Sequence, residues 1–239
     1  MQSWQGKHIN VLILHSRAGI SQQIWLACDH GTVLVDAGDG TLRDIIDNDL
    51  DLKTLNSIVF THGHFDHISG LYALLGFMRM VGRKDMLYVY APQDCIAVSP
   101  IINRFTSDYA DSLPFEIQYR EIDTEQTFEV AGMSVRSYSV VHCGSIEGGD
   151  VLEQIPAMGY RISYQGEIVA ITGDTGLCYA VKQLVNGADL AIIEAVYENT
   201  DDMTEEVLQK VHLSVDKAVE IGKLAQQYIL IHQGRWYRE

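Results

Sequence analysis

The stretch Thr61-His62-Gly63-His64-Phe65-Asp66-His67 decides the reading of this chain. Three imidazoles and one carboxylate are packed into one short loop. An apolar run, residues 57–60, precedes it, and an apolar, helix-like run, residues 68–81, follows. That context predicts strand, tight loop, helix. A strand end and a helix start can aim four short side chains at one small volume. Histidine nitrogens and carboxylate oxygens are ligands that zinc, manganese and iron accept in hydrolytic sites. A polar loop merely rich in histidine is the plainer alternative, but the H-x-H-x-D-H order is a specific one.

The remaining chain reads as strand-rich, then mixed. Residues 9–14, 22–27 and 32–35 alternate as early strands, with Asp29-His30-Gly31 as a hairpin turn. Residues 42–47 form a short helix, 87–90 a strand, 94–105 a helix, and 116–119 and 134–141 strands. Residues 160–163 and 167–171 form a hairpin around Gln165-Gly166. A helix near 177–186, a strand at 190–194, a helix at 214–226 and a strand ending at Ile231 complete the order.

Composition fits one enzyme-sized domain over residues 1–239: apolar residues make up 47% of 239, ample for a two-layer core. The N-terminus lacks a signal-peptide h-region. No apolar stretch reaches the roughly 20 residues that span a membrane. Cys28, Cys95, Cys143 and Cys178 are scattered and read as free thiols of a cytoplasmic protein. Cys143 adjoins His142 and reads as packing. The formal charge is −15, which argues against a broad nucleic-acid-binding face.

The T-H-x-H-x-D-H run resembles the signature of the metallo-β-lactamase superfamily of hydrolases. The resemblance implies an α+β fold, an αββα sandwich of two mixed sheets packed face to face with helices outside. It also implies a two-metal site at one edge and three downstream ligands: histidine, aspartate, histidine. His142, Asp174 and His232 follow in that order, each after a strand-like run. Carried over by position, His62, His64 and His142 hold one metal, Asp66, His67 and His232 the second, and Asp174 bridges both. Asp66 counts among the catalytic groups as well. Metals about 3.5–4 Å apart can share an attacking hydroxide at neutral pH. Two divalent ions are implied, zinc by default, with manganese or iron also accommodated. Five neutral histidines and two carboxylates leave such a site positive, which suits an anionic phosphoester. Asp36, in Leu34-Val35-Asp36-Ala37-Gly38, is either an orienting carboxylate or a turn residue. Thr61 and Thr175 are candidates for similar orienting work.

Within the superfamily, residues 142–239 resemble the ribonuclease Z branch, which trims the 3′ ends of tRNA precursors. Gly159-Tyr160-Arg161-Ile162 and Gly173-Asp174-Thr175 carry the likeness. Ile193-Glu194-Ala195-Val196-Tyr197 is similar to the H-E-A-T-[FY] segment, and His212-Leu213-Ser214 to the H-S-T or H-L-S segment. The resemblance makes His212 the general acid for the leaving group and Glu194 the group that orients it. The plainer reading of His212 is a turn residue before a Ser214 helix cap. The departures are Ile193 for the first histidine, Val196 for the threonine, and Ser16-Arg17-Ala18-Gly19-Ile20-Ser21 in place of the Gly-rich N-terminal element. The interval from His142 to Asp174 is also too short for a tRNA-gripping arm. Arg161, Arg235 and Arg238 could form a local patch for one phosphate. The expected substrate is therefore a phosphodiester, either a small molecule or an RNA 3′ end, with no membrane partner and homodimerisation left open. The alternative is a lactonase or thioesterase of the same superfamily. A non-enzymatic metal-binding module is more remote.

Overall fold

Both apolar runs around the histidine loop take the expected forms, and the reason lies in a parallel sheet. A computed structural model describes residues 2–145 and 150–234. These fall into two compact units: Met1–Ile122 with Val130–Gly132, and Asp123–Glu129 with Met133–Glu239.

The first unit runs β1 (Gln2–Gln5), β2 (Asn10–Arg17), β3 (Ser21–Cys28), β4 (Gly31–Val35), α1 (Thr41–Asp47), β5 (Leu55–Val59), α2 (Phe65–Ile68), α3 (Leu71–Met80), β6 (Leu87–Pro92), α4 (Val98–Asp108) and β7 (Ile117–Ile122). Its seven strands lie in sequence order. The first four pair antiparallel, whereas β4 through β7 pair parallel. Parallel neighbours need crossovers, and α1, α2–α3 and α4 lie in those connections. Helix α3 buries Leu71, Leu74, Leu75 and Met78, the i, i+3, i+4, i+7 stripe of a core-facing helix. That stripe packs with Leu34, Ile58, Val89 and Phe105 in one core.

The helical run is interrupted: the helix expected over 68–81 starts only at Leu71, as α3, and the end of the histidine loop forms the separate short helix α2. Gly70 breaks it: its N–H donates to the Ala37 carbonyl (2.8 Å), and a Cβ there would fall on the Gly38 carbonyl oxygen. The β1 strand is polar, and it pairs along β2 (Trp4 opposite Val11) without an apolar alternation that would announce it.

The second unit contains β8 (Thr127–Val130), β9 (Met133–Ser139), β10 (Cys143–Ser145), β11 (Val151–Gln154), β12 (Met158–Tyr164), β13 (Glu167–Ile171), α5 (Tyr179–Val185), β14 (Leu190–Glu194), a 3-10 turn (Thr200–Asp202), α6 (Glu205–Lys210), α7 (Val215–Gly222) and β15 (Gln227–Ile231). Six strands form a second mixed sheet in the order β15-β14-β13-β12-β9-β8, and β10 pairs with β11 apart from it. β9, β12 and β13 are antiparallel; β13, β14 and β15 are parallel. The expected β12–β13 hairpin turns at Gln165 (φ 49°) and Gly166 (φ 86°). Two positive φ values match the twist of the flanking strands.

Short elements escaped the sequence reading: β1, β8, β10, β11 and α6. Helix α6 does carry end signals, since the Thr204 hydroxyl accepts the Val207 N–H (3.2 Å) and Glu205 and Glu206 fill its first turn. Among the described residues, no helix is long and apolar enough to cross a membrane.

Candidate metal centre

Parallel strands end on the same edge of their sheet, so residues just past their C-termini converge. In the first unit this brings Asp36, after β4, beside Thr61, after β5. Asp36 is fully buried in the left-handed region (φ 60°). Its Oδ1 accepts the Thr61 N–H (2.8 Å), and its Oδ2 accepts the Thr61 hydroxyl (2.9 Å). The same Oδ2 lies 2.8 Å from His67 Nδ1. The carboxylate therefore holds the His67 proton on Nδ1 and leaves Nε2 with the lone pair a metal needs. Because the Thr61 hydroxyl donates to Asp36, it can accept from His62 Nδ1, 3.1 Å away. That again puts the lone pair on Nε2. Asp36 is thus an orienting group and more than a turn residue, and Thr61 works with it.

The rest of the loop follows from α2, which starts at Phe65 and buries Asp66 and His67. The His62 ring lies 4.7 Å from His64 and 4.0 Å from His67, centre to centre. Donor atoms of His62 and His64, of His62 and His67, and of Asp66 and His67 come within 4.8 Å of each other. Asp66 Oδ2 accepts the Gly19 N–H at 2.6 Å. The Ser16–Ser21 segment, expected only to replace a Gly-rich element, thereby fixes a candidate ligand. Gly38 is required for the same packing: a Cβ there would strike the Asp66 carbonyl and come within 2.8 Å of the Gln22 nitrogen.

In the second unit, His142 follows β9, Asp174 follows β13, Glu194 ends β14 and His232 follows β15. All four are buried. His142 Nδ1 meets the Val211 carbonyl (2.8 Å), so its proton sits there and the lone pair is on Nε2, 3.9 Å from Asp174 Oδ2. That same oxygen lies 2.9 Å from His232 Nε2. The structure brings His142, Asp174 and His232 together as a second donor group.

His212 stands beside this group. Its ring centre is 5.2 Å from that of His142 and 5.9 Å from that of His232. Its Nδ1 lies 3.0 Å from Glu194 Oε1, and its side chain keeps 15% exposure while Glu194 has none. Glu194 Oε1 also accepts the Thr175 N–H (3.0 Å) and the Leu213 N–H (3.1 Å). One carboxylate oxygen at the end of β14 thus ties two loops. Thr175 contributes its backbone there, its hydroxyl going to the Gly176 carbonyl (2.7 Å). Burial, and the Glu194 charge after it, push the Tyr197 phenol up from its ordinary value. Ser214 takes the N-cap position of α7, but its hydroxyl meets Thr200 Oγ1 (2.9 Å).

One sequence reading changes. Arg161 is engaged at α5: its Nη1 donates to the Leu184 (2.8 Å) and Asn186 (3.0 Å) carbonyls at the C-terminal end of that helix, a common use of a cation at a helix end. Arg235 and Arg238 lie outside the described residues. The packing reading of Cys143 stands, since it is buried against Val207 and Val211 and burial pushes its thiol up. All four cysteines are free. What the sequence reading missed, the Gly19 N–H and the Val211 carbonyl, are backbone groups that any residue type supplies.

The fold and these donors define a class. Residues 32–232 match the Beta-lactamase superfamily domain, and the chain belongs to that superfamily. Over 245 residues it is 28% identical to ribonuclease Z of Pyrococcus abyssi, covering 86% of this chain and 78% of that protein. It superposes on human tRNase Z, short form, with a TM-score of 0.77 at 21% identity, over 94% of this chain and 93% of the other. The metallo-β-lactamase fold protein YhfI from Bacillus subtilis gives 0.75 at 17% identity, over 96% and 88%. The chain has the metallo-β-lactamase fold, and its histidine and aspartate groups are able to bind metal ions. Family, relatives and donors together support a metal-dependent hydrolase of ribonuclease Z-like type.

Proposed function

We propose that this protein is a phosphodiesterase whose two units act as one domain holding two divalent metal ions, zinc by default. His62, His64 and His142 would hold one ion, Asp66, His67 and His232 the other, and Asp174 both. The donor chemistry fits: the Nδ1 atoms of His62, His67 and His142 are each held by an oxygen, which leaves Nε2 for a ligand bond. When bound, such ions acidify water and polarise a phosphoryl oxygen. A single family model running through both units supports treating them as one domain.

The observation that carries the phosphodiesterase reading is the Glu194–His212 pair. An ester with a poor alkoxide leaving group needs a proton, and hydrolysis of a lactone or thioester makes a weaker demand for one. His212 is anchored through Nδ1 by a fully buried carboxylate and keeps a partly exposed ring beside His142 and His232. Held in that way, Nε2 can give a proton to a departing oxygen and recover it from solvent. The substrate is a phosphodiester, a small molecule or an RNA 3′ end. The relatives' name favours RNA. The charge of −15, the engagement of Arg161 at α5 and the His142–Asp174 interval, filled by the β10–β11 pair and strands β12 and β13, favour a small or locally gripped diester.

The test sets bis(4-nitrophenyl) phosphate and an alkyl aryl diester against a panel of lactones and thioesters. Zinc-dependent cleavage of the diesters, abolished by a chelator, is expected. Lactone or thioester turnover without diester cleavage would replace this reading with an acyl hydrolase.

A further inference from the structure

We propose that Phe65 is a substrate-contacting specificity residue whose ring stacks on a nucleobase, or a like flat aromatic group, of the molecule bound at the histidine loop. This rests on the phosphodiesterase reading and names the substrate class more closely.

Phe65 lies between His64 and Asp66 and opens α2, yet it is 66% exposed, whereas Asp66, His67 and Ile68 on the same turn are buried. The Phe65 Cα is one chain step, about 3.8 Å, from the Cα of His64 on one side and of Asp66 on the other, so the ring stays close to any ion these neighbours ligate. A phenylalanine left in water forfeits most of the burial energy that aromatic side chains usually contribute. Its position next to the ligands gives that ring a use.

Two more exposed apolar residues come from the loops that touch this one. Ile20 (38% exposed) follows Gly19, whose N–H binds Asp66. Ile96 (85% exposed) sits between Cys95 and Ala97, and a Cβ on Gly63 would lie 3.0 Å from the Cys95 sulfur and 2.9 Å from the Ala97 Cβ. Three loops meeting at the ligands thus each present one large apolar side chain. Arg17 is the one Lys or Arg in segments 16–21, 61–67 and 94–97, which also carry Asp66 and Asp94.

That balance selects the occupant. A protein of charge −15 draws little affinity from lysines and arginines on phosphates, so apart from the ions at the donors another term must hold the rest of the substrate. Aromatic stacking on a base needs no charge and tolerates any base, since every base has a π-face. Isoleucines at the flanks can cover the edges of a planar ring, while the phosphate of the same nucleotide reaches the donors beside Phe65.

Calorimetric titration of the full chain with adenosine 5′-monophosphate and with methyl phosphate separates stacking from phosphate binding and needs no turnover. The wild-type protein should bind the nucleotide more tightly than methyl phosphate. Phe65→Ala and Phe65→Leu should each weaken the nucleotide about 5- to 150-fold and leave methyl phosphate within about twofold. Phe65→Tyr should restore the preference. Unchanged thermal melting of the variants, expected for so exposed a ring, keeps folding out of the comparison. No nucleotide preference in the wild-type protein, or nucleotide binding retained in both Phe65→Ala and Phe65→Leu, overturns the proposal. Retained preference with no diester cleavage would sink the phosphodiesterase reading and spare this one.

Discussion

If His212 serves the leaving group, removing its imidazole should hurt in proportion to how badly the departing oxygen needs a proton. His212→Ala removes a ring that is partly exposed and takes only one partner from Glu194 Oε1, which keeps the Thr175 and Leu213 N–H groups. The fold and the metal donors should therefore survive. On a methyl or ethyl leaving group, kcat should fall about 10²- to 10⁴-fold, or about 2.7–5.4 kcal/mol in the barrier. With nitrophenolate, which departs unprotonated, the loss should be much smaller. Glu194 needs a different variant. Glu194→Ala would strand two buried backbone N–H groups at about 1–3 kcal/mol each, an expected loss of about 2–6 kcal/mol in urea unfolding that would obscure kinetics. Glu194→Gln keeps an acceptor oxygen and removes the charge, so it should show the His212→Ala pattern in weaker form. Steady-state kinetics on both leaving-group classes, with zinc content measured for each variant, reads the result. Equal losses on both classes, or loss of metal from His212→Ala, would refute the leaving-group role.

Asp174→Ala should abolish hydrolysis and lower metal retention, because one oxygen sits against both His142 and His232; near-normal turnover would remove Asp174 from the site. Gly38→Ala should cost about 1–3 kcal/mol of stability and weaken metal binding, since the added carbon collides with the Asp66 carbonyl and must displace α2; metal titration with unchanged affinity would show that the loop absorbs it. A tRNA precursor should be cleaved poorly beside small diesters, and efficient 3′ cleavage that falls steeply with salt would show that local cations suffice. Burial pushes the Cys95 and Cys143 thiols up, which lowers their thiolate fraction at a given pH. Both should stay unalkylated at pH 8 in the native protein while the half-buried Cys28 and Cys178 label, as peptide mass mapping would show.

The candidate donors are legible in the sequence because a metal ligand must be one of a few residue types. Histidine and aspartate cannot be exchanged for neighbours without losing a ligand, so the loop at 62–67 and the residues closing three apolar runs (His142, Asp174, His232) stand out in the chain itself. The strand-then-loop placement was legible too, since parallel strands buried on both faces read as continuous apolar runs such as Val33–Val35 and Ile58–Phe60. Tertiary structure alone decided what holds those donors in place. The Gly19 N–H on Asp66, the Val211 carbonyl on His142 and the two N–H groups on Glu194 come from the backbone, which every residue carries and which leaves no mark in a sequence. It also decided where Arg161 is engaged: the guanidinium is the same chemical group wherever it points, and only packing turned it onto the carbonyls ending α5. Chemical identity is a property of one residue and can be read along the chain, whereas the partner that orients it is a property of two places that only folding brings together.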